Sequence, residues 1–209
     1  MTDVLADVLA DVLIDGPDDA PATLLLAHGA GTGKEHAFLA AIARGLAGPR
    51  RRVVRFDFPY RAAGRRLPDR LPRLQDALRA VVAAHGRGAI ALAGKSLGGR
   101  VASTLADEMA ARALLCFGYP FHPPKDASRL RTAHLAALRT PTLVLQGERD
   151  PFGHRAEVAG YALSPAIAVH WLADGDHDLR PRAASGRTAH GNLDEAIGAG
   201  DAFLRRHGA

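Results

Sequence analysis

The sequence predicts an α/β fold: one domain over residues 1–209, built on a doubly wound, mostly parallel sheet of about six to seven strands. Three observations lead there. After Gly16-Pro17, short apolar runs alternate with longer amphipathic stretches, the rhythm of βα units. The apolar runs are continuous, as strands covered on both faces must be. And 47% hydrophobic residues in a chain of 209 are enough for one sizeable core.

The opening segment, residues 1–16, contains "DVLADVLADVLID", in which Ala-Asp-Val-Leu repeats every four residues. As a helix it stacks Val4, Val8 and Val12 above Leu5, Leu9 and Leu13; it equally feeds a strand ending near Ile14, and the pattern leaves both open. Three units are too few for a solenoid. Strands are expected at Thr23 to Ala27, Arg52 to Phe58, Ala89 to Ala93, Ala113 to Phe117, Thr142 to Gln146 and Ile167 to Leu172. Helices are expected at about Lys34 to Leu46, Leu71 to Ala84, Leu97 to Ala111, Ser128 to Leu138, Glu157 to Leu163 and Leu193 to Arg206.

Lys and Arg outnumber Asp and Glu by 27 to 22. The excess is spread along the chain, apart from Arg50 to Arg52 and a looser group of Arg61, Arg65 and Arg66. With few aromatics and no nucleic-acid motif beside them, these read as solvated surface, and no nucleic-acid partner is expected. The lone Cys116 sits in the apolar run Ala113 to Phe117 and reads as buried filler, which fits a cytoplasmic setting. The N-terminus has aspartates where a secretory signal needs positive charge, and no apolar run approaches 18 residues, so no membrane association is expected.

Two segments imitate a phosphate-binding loop, G-x-x-x-x-G-K-[ST], and both fail. Before Gly33-Lys34 the first glycine is replaced by His28, and Glu35 follows the lysine. Before Gly94-Lys95-Ser96 the corresponding position is Ala89. The second segment satisfies a different pattern: Gly94-Lys95-Ser96-Leu97-Gly98 is G-x-S-x-G between an expected strand and an expected helix. There a serine occupies a tight strand-to-helix turn, and the glycines on either side let strand and helix approach. Ser96 would stand at a helix N-terminus, where amide groups favour developing negative charge.

A serine hydroxyl needs a base, and the base needs an orienting acid. Past the next two strand ends lie "GERDPFG" and "ADGDHDL", which supply Asp150 and His177 in the chain order serine, acid, histidine. Asp176, Asp178 and Glu148 are rival acids, ranked behind Asp150. "HGAG", after the first central strand, offers the NH of Ala30 to pair with the NH of Leu97 as an oxyanion hole. Gly29 and Gly31 are expected to keep that loop close to the serine, and His28 to brace it.

"LLLAHGAG", "GKSLGGR", "GYPFHPP", "TPTLVLQGERDPFG" and "GDHDL", in this order, resemble the α/β-hydrolase superfamily over nearly the whole chain. More narrowly the chain resembles the compact dienelactone-hydrolase-like group, with the testis-expressed and histone-acetyltransferase-complex-associated hydrolase-like proteins. The resemblance implies Ser96, Asp150 and His177 as a triad. It also raises Tyr119 and His122 as pocket-lining residues, against the alternative that "GYPFHPP" is a rigid proline-set loop. Lys95 and Arg100 match the group's elbow without an assigned role. The span between Phe117 and Thr142 is too short for a large helical lid, which favours small or exposed acyl groups. The expectation is a serine hydrolase acting on a small-molecule carboxylic ester or thioester, with no cofactor and no metal. The alternative is a non-catalytic binding or scaffold protein on the same fold. Oligomeric state is not legible in the sequence.

Overall fold

The computed structural model describes residues 4–209; residues 1–3, the start of the opening segment, lie outside the described residues. The repeat resolves into both of its alternatives in succession, helix α1 (Val4–Ala10) and then strand β1 (Leu13–Asp15). The helix stops before Val12, so the three valines do not share one buried stripe, and only Val8 of them is buried. The remaining strands are β2 (Ala22–Ala27), β3 (Arg51–Phe56), β4 (Ala89–Lys95), β5 (Leu114–Phe117), β6 (Thr142–Gly147) and β7 (Ile167–Leu172). They form a seven-stranded sheet in the order β1-β3-β2-β4-β5-β6-β7, with β1 antiparallel to β3 and every other pair parallel.

Alternate residues of the strands feed two apolar layers. Leu25 and Ala27 of β2 join one core with α4 (Leu71–His85) and α5 (Leu97–Ser103); the short helix α3 (Pro59–Ala62) adds Tyr60 to it. Leu24 and Leu26 join the other, beneath α2 (Ala37–Leu46) and α7 (Ala189–Arg206). Between these come the one-turn helix α6 (Arg155–Val158) and a 3₁₀ turn at Ala133–Ala137. No helix of the described residues is long and apolar enough to cross a membrane.

Three expected helices are cut short: that over Glu157 to Leu163 is reduced to α6, which ends at Val158, and in the other two the hydrogen bonding shows why. The helix expected to reach Ala111 ends at Ser103, because Ser103 Oγ donates to the Arg100 carbonyl and Thr104 Oγ1 to that of Val101, bonds that compete with the helical ladder. The helix expected over Ser128 to Leu138 is replaced by irregular chain and the 3₁₀ turn, since the Arg131 NH pairs with the Phe121 carbonyl at 2.7 Å.

Arg51 and Arg52, expected at the solvated surface, are 5% and 1% exposed. Their strand β3 is covered on both faces, and each guanidinium reaches an aspartate, Asp201 at 2.9 Å and Asp18 at 3.1 Å. Arg61, Arg65 and Arg66 are exposed, as expected. Cys116 is fully buried, and burial pushes its thiol pKa far up, so it is inert filler.

The feature that sets the site is the approach of α5 to the sheet. A Cβ on Gly94 would lie 2.2 Å from the Gly98 carbonyl carbon, and one on Gly98 would lie 2.4 Å from the Ala27 carbonyl oxygen. Both obstacles are backbone and cannot rotate away. We expect Gly98→Ala to cost about 1–3 kcal/mol in urea unfolding by overpacking, whereas Gly31→Ala, with nothing within 4 Å of its Cβ position, changes stability by less than about 0.5 kcal/mol. Equal stability of the two variants would contradict this packing.

Candidate active site

β4 runs into α5 through Ser96, which takes φ 50° and ψ −112°. This is a rare conformation for a residue with a side chain and costs about 1–3 kcal/mol. It is held by the ladder before it, where the Ser96 NH donates to the Phe117 carbonyl at 3.0 Å, and by the first turn after it, where the Arg100 NH donates to the Ser96 carbonyl at 3.0 Å. The turn lifts the Ser96 hydroxyl off the carboxyl edge of the sheet, while Leu97 becomes the first residue of the helix, whose amide has no intrahelical acceptor.

The loops after β6 and β7 meet this hydroxyl. The Ser96 hydroxyl lies 2.9 Å from His177 Nε2, and His177 Nδ1 lies 2.8 Å from Asp150 Oδ2. With Nδ1–H donating to the carboxylate, Nε2 is left to accept from the serine. Asp150 is wholly buried, and its charge is met by the Gln146 side-chain amide at 2.9 Å and the Phe152 NH at 2.9 Å. The rival acids are engaged elsewhere. Asp176 caps its own loop through the amides of Asp178 and Arg180, Asp178 faces Lys95, and Glu148 pairs with Arg155 and accepts from the Asp174 NH.

A second serine and histidine also touch, Ser103 Oγ and His134 Nε2 at 2.9 Å. Ser103, the last residue of α5, is buried, and among the described residues no carboxylate hydrogen-bonds to His134. That pair lacks both access and an acid.

Two supports of His177 are absent from the motif reading. The Phe152 ring lies against the imidazole with centroids 4.2 Å apart. Lys95, the second residue of G-x-S-x-G, turns beneath the site: its Nζ donates to the His177 carbonyl at 2.7 Å and lies 3.3 Å from Asp178 Oδ1. Burial lowers the Lys95 pKa, opposed by the charge of Asp178. Gly118 makes room for this knot, with φ +65° and a Cβ position 2.6 Å from the His177 carbonyl oxygen.

The loop after β2 is fixed by a neutral histidine. His28 Nδ1–H donates to the Gly29 carbonyl at 2.7 Å, and Nε2 accepts from the Phe58 NH at 3.0 Å, which defines the tautomer. Tyr60 adds its hydroxyl to the Ala30 carbonyl at 3.0 Å. His28 therefore braces the loop, as expected. The glycines behave otherwise than expected. A Cβ on Gly29 would meet Lys95 and Ser96 at ordinary contact distances of 3.5–3.7 Å, and Gly31 faces open space. Closeness to the serine is imposed by His28 and Tyr60, not by a lack of side chains.

Ser96, Leu97 and Ala30 share a cleft of about 360 Å³ with Pro68, Leu71, Leu74, Pro120 and Phe152, and with Asp69, Arg100 and Arg131. Tyr119 and His122, expected to line it, do not. Tyr119 is 1% exposed, with its hydroxyl 3.4 Å from Ser103 Oγ, and His122 is 3% exposed between the Pro123 carbonyl and Glu157. The proline-rich loop turns both side chains inward and leaves Pro120 at the cleft. A larger cavity of about 620 Å³ lies far from this chemistry, between Pro21, Gly48, Arg50 and Arg205. Lys34 is no phosphate ligand: its ammonium pairs with Asp11 and its NH donates to Asp57 at 2.8 Å. Among the described residues no group of three His, Cys, Asp or Glu side chains is arranged to hold a metal.

Residues 20–205 match the model of the alpha/beta hydrolase domain family, and the chain belongs to that family. Among solved structures it is similar to an α/β serine hydrolase without lid from Xanthomonas campestris, at 24% identity and TM-score 0.71, covering 94% of this chain and 88% of that one. It is similar also to Est1E from Butyrivibrio proteoclasticus, at 15% identity and TM-score 0.72, covering 94% and 93%. A third is the dienelactone hydrolase of Anabaena variabilis, at 18% identity and TM-score 0.71, covering 93% and 90%.

Burial lowers the His28 pKa below its ordinary value, chiefly by desolvation. The folded state thus resists protonation that the unfolded chain accepts, so stability is full above about pH 6.5 and falls as pH drops below it. We expect His28→Gln to be less stable at pH 7.5 and to lose stability less steeply between pH 7 and 5, by up to about 1.4 kcal/mol per pH unit. Parallel denaturation slopes for the two proteins would contradict the neutral, buried imidazole.

Proposed function

We propose that the protein is a serine hydrolase that cleaves carboxylic esters or thioesters with small or exposed acyl groups, and that Ser96, His177 and Asp150 are its catalytic triad. The observation that carries this reading is the continuous chain of contacts from the Ser96 hydroxyl through His177 to buried Asp150, 2.9 Å and 2.8 Å, opening on the 360 Å³ cleft. Family membership supports the reaction class.

In this reading the Ser96 oxygen attacks the carbonyl carbon as His177 Nε2 takes its proton. Asp150 keeps Nδ1 protonated and stabilises the imidazolium. The tetrahedral oxyanion falls to the NH groups of Leu97, at the helix start, and Ala30, on the loop that His28 and Tyr60 hold. The imidazolium returns its proton to the leaving alkoxide or thiolate, and the same sequence with water releases the acid. The absence of a long insertion between β5 and β6 leaves the cleft open, which supports small or protruding acyl groups over buried lipid chains. Lys95 acts through His177: holding its carbonyl fixes where the imidazole stands.

Ser96→Ala is expected to remove about three orders of magnitude of kcat/KM on short-chain 4-nitrophenyl esters, as triad losses do; a non-catalytic binding protein would show no such loss. Lys95→Met keeps the volume and removes the bond to His177. It is expected to lower kcat by about ten- to a hundredfold, the usual penalty of a small misplacement, with little change in KM. An unchanged kcat in the methionine variant would remove Lys95 from this account.

A further inference from the structure

The cleft holds two cations that the reaction steps above do not use. Arg100 stands one turn after Ser96 on α5, and Arg131 is fixed across the cleft by its own NH on the Phe121 carbonyl at 2.7 Å. Neither guanidinium has a carboxylate within ion-pair distance among the described residues, and whereas other arginines without one, such as Arg50, Arg66 and Arg129, are exposed, these two are half-buried in the cleft. Among the described residues the one carboxylate lining the cleft is Asp69, whose Oδ1 accepts from Arg65 at 2.8 Å, while its buried Oδ2 has no hydrogen-bond partner and stands 3.7 Å from Arg73. The geometry points to an anion subsite: Arg100 and Arg131 receive a carboxylate carried on the substrate, so the preferred substrates are esters or thioesters of a molecule bearing a second, negatively charged end.

This inference rests on the hydrolase reading and narrows its substrate class. Desolvation lowers the Arg131 pKa, and the like charges of Arg100 and Arg129 lower it further, against an opposing contribution from Tyr119. Two like charges facing one cleft repel, and a substrate carboxylate relieves the repulsion while accepting charge-assisted hydrogen bonds, which guanidinium forks provide in paired geometry. The remaining walls, Pro68, Leu71, Leu74, Pro120 and Phe152, are apolar and suit the short carbon chain between the reacting carbonyl and the anion. A cleft of about 360 Å³ is near the lower end for ligand sites, consistent with a compact substrate.

The test compares two matched pairs of esters by pH-stat: monomethyl glutarate against methyl valerate, with the charge on the acyl side, and acetoxyacetate against propyl acetate, with the charge on the alcohol side. The expected result is that kcat/KM favours the charged member at least tenfold in one pair, and that pair fixes the side. The preference falls at least tenfold in Arg100→Gln or Arg131→Gln, is partly kept by Arg131→Lys, and weakens with added salt. No preference in either pair, or one that the glutamine variants leave unchanged, overturns the inference while leaving the hydrolase reading intact. In parallel, Ser96→Ala protein is titrated with monomethyl glutarate and acetoxyacetate by calorimetry. Saturable binding weakened at least tenfold by the added Arg131→Gln supports the subsite even if wild-type protein hydrolyses none of the four esters, in which case it is the hydrolase reading that fails. Absence of binding by both anions in protein that hydrolyses neither overturns the subsite as well.

Discussion

The backbone of α5 rests so close to β2 and β4 that no side chain fits between them at Gly94 or Gly98, and the rest of the site depends on that contact. It forces the chain to reverse from strand to helix within one residue. Ser96 bears the reversal in a left-handed conformation that regular structure on both sides holds in place. The outcome is a hydroxyl raised above the sheet edge beside the free amides of a helix start, a geometry that a relaxed turn would not give. The strain of about 1–3 kcal/mol is small against the two apolar layers that clamp the turn.

Topology then decides what meets the hydroxyl. β2 and β4 are adjacent, yet the chain leaves β2 toward β3 and leaves β4 toward β5, in opposite directions along the sheet. Loops at such a switch point part from one another and open a crevice at the carboxyl ends of the strands. The His28–Gly31 loop takes one wall and the Ser96 turn the floor. The loops after β6 and β7 deliver Asp150 and His177 from the far side, with Gly147 passing under the backbone of Gly175 and Asp176. Lys95 closes the arrangement from below by tying the residue before the serine to the histidine's own carbonyl.

Much of this was legible in the sequence because both faces of the sheet are covered. Continuous apolar runs such as Thr142 to Gln146 and Ile167 to Leu172 mark strands to within a residue, and turn chemistry marks the strand ends where Ser96, Asp150 and His177 stand. What escaped depended on contacts distant in sequence. Tyr119 and His122 share a motif with Pro120, but only the folded loop shows that their side chains turn into the core. Arg52 resembles a surface residue until Asp18 and the His85 carbonyl are brought to it. The expected helix over Ser128 to Leu138 had adequate local propensity, and it gave way where the Arg131 NH turns back to the Phe121 carbonyl at the other end of the proline-rich loop. Arg100 and Arg131, thirty-one positions apart, become neighbours of one cleft only when β5 and its following loop fold back over α5.

Whether folding alone makes a nucleophile of Ser96, as proposed, is read out by reaction with a fluorophosphonate probe, followed by peptide mapping of the adduct in native and urea-unfolded protein. One phosphonyl group per native chain, on Ser96, and none on the unfolded chain is the expected result. An unlabelled native protein, or an adduct on another serine such as Ser103, would contradict it.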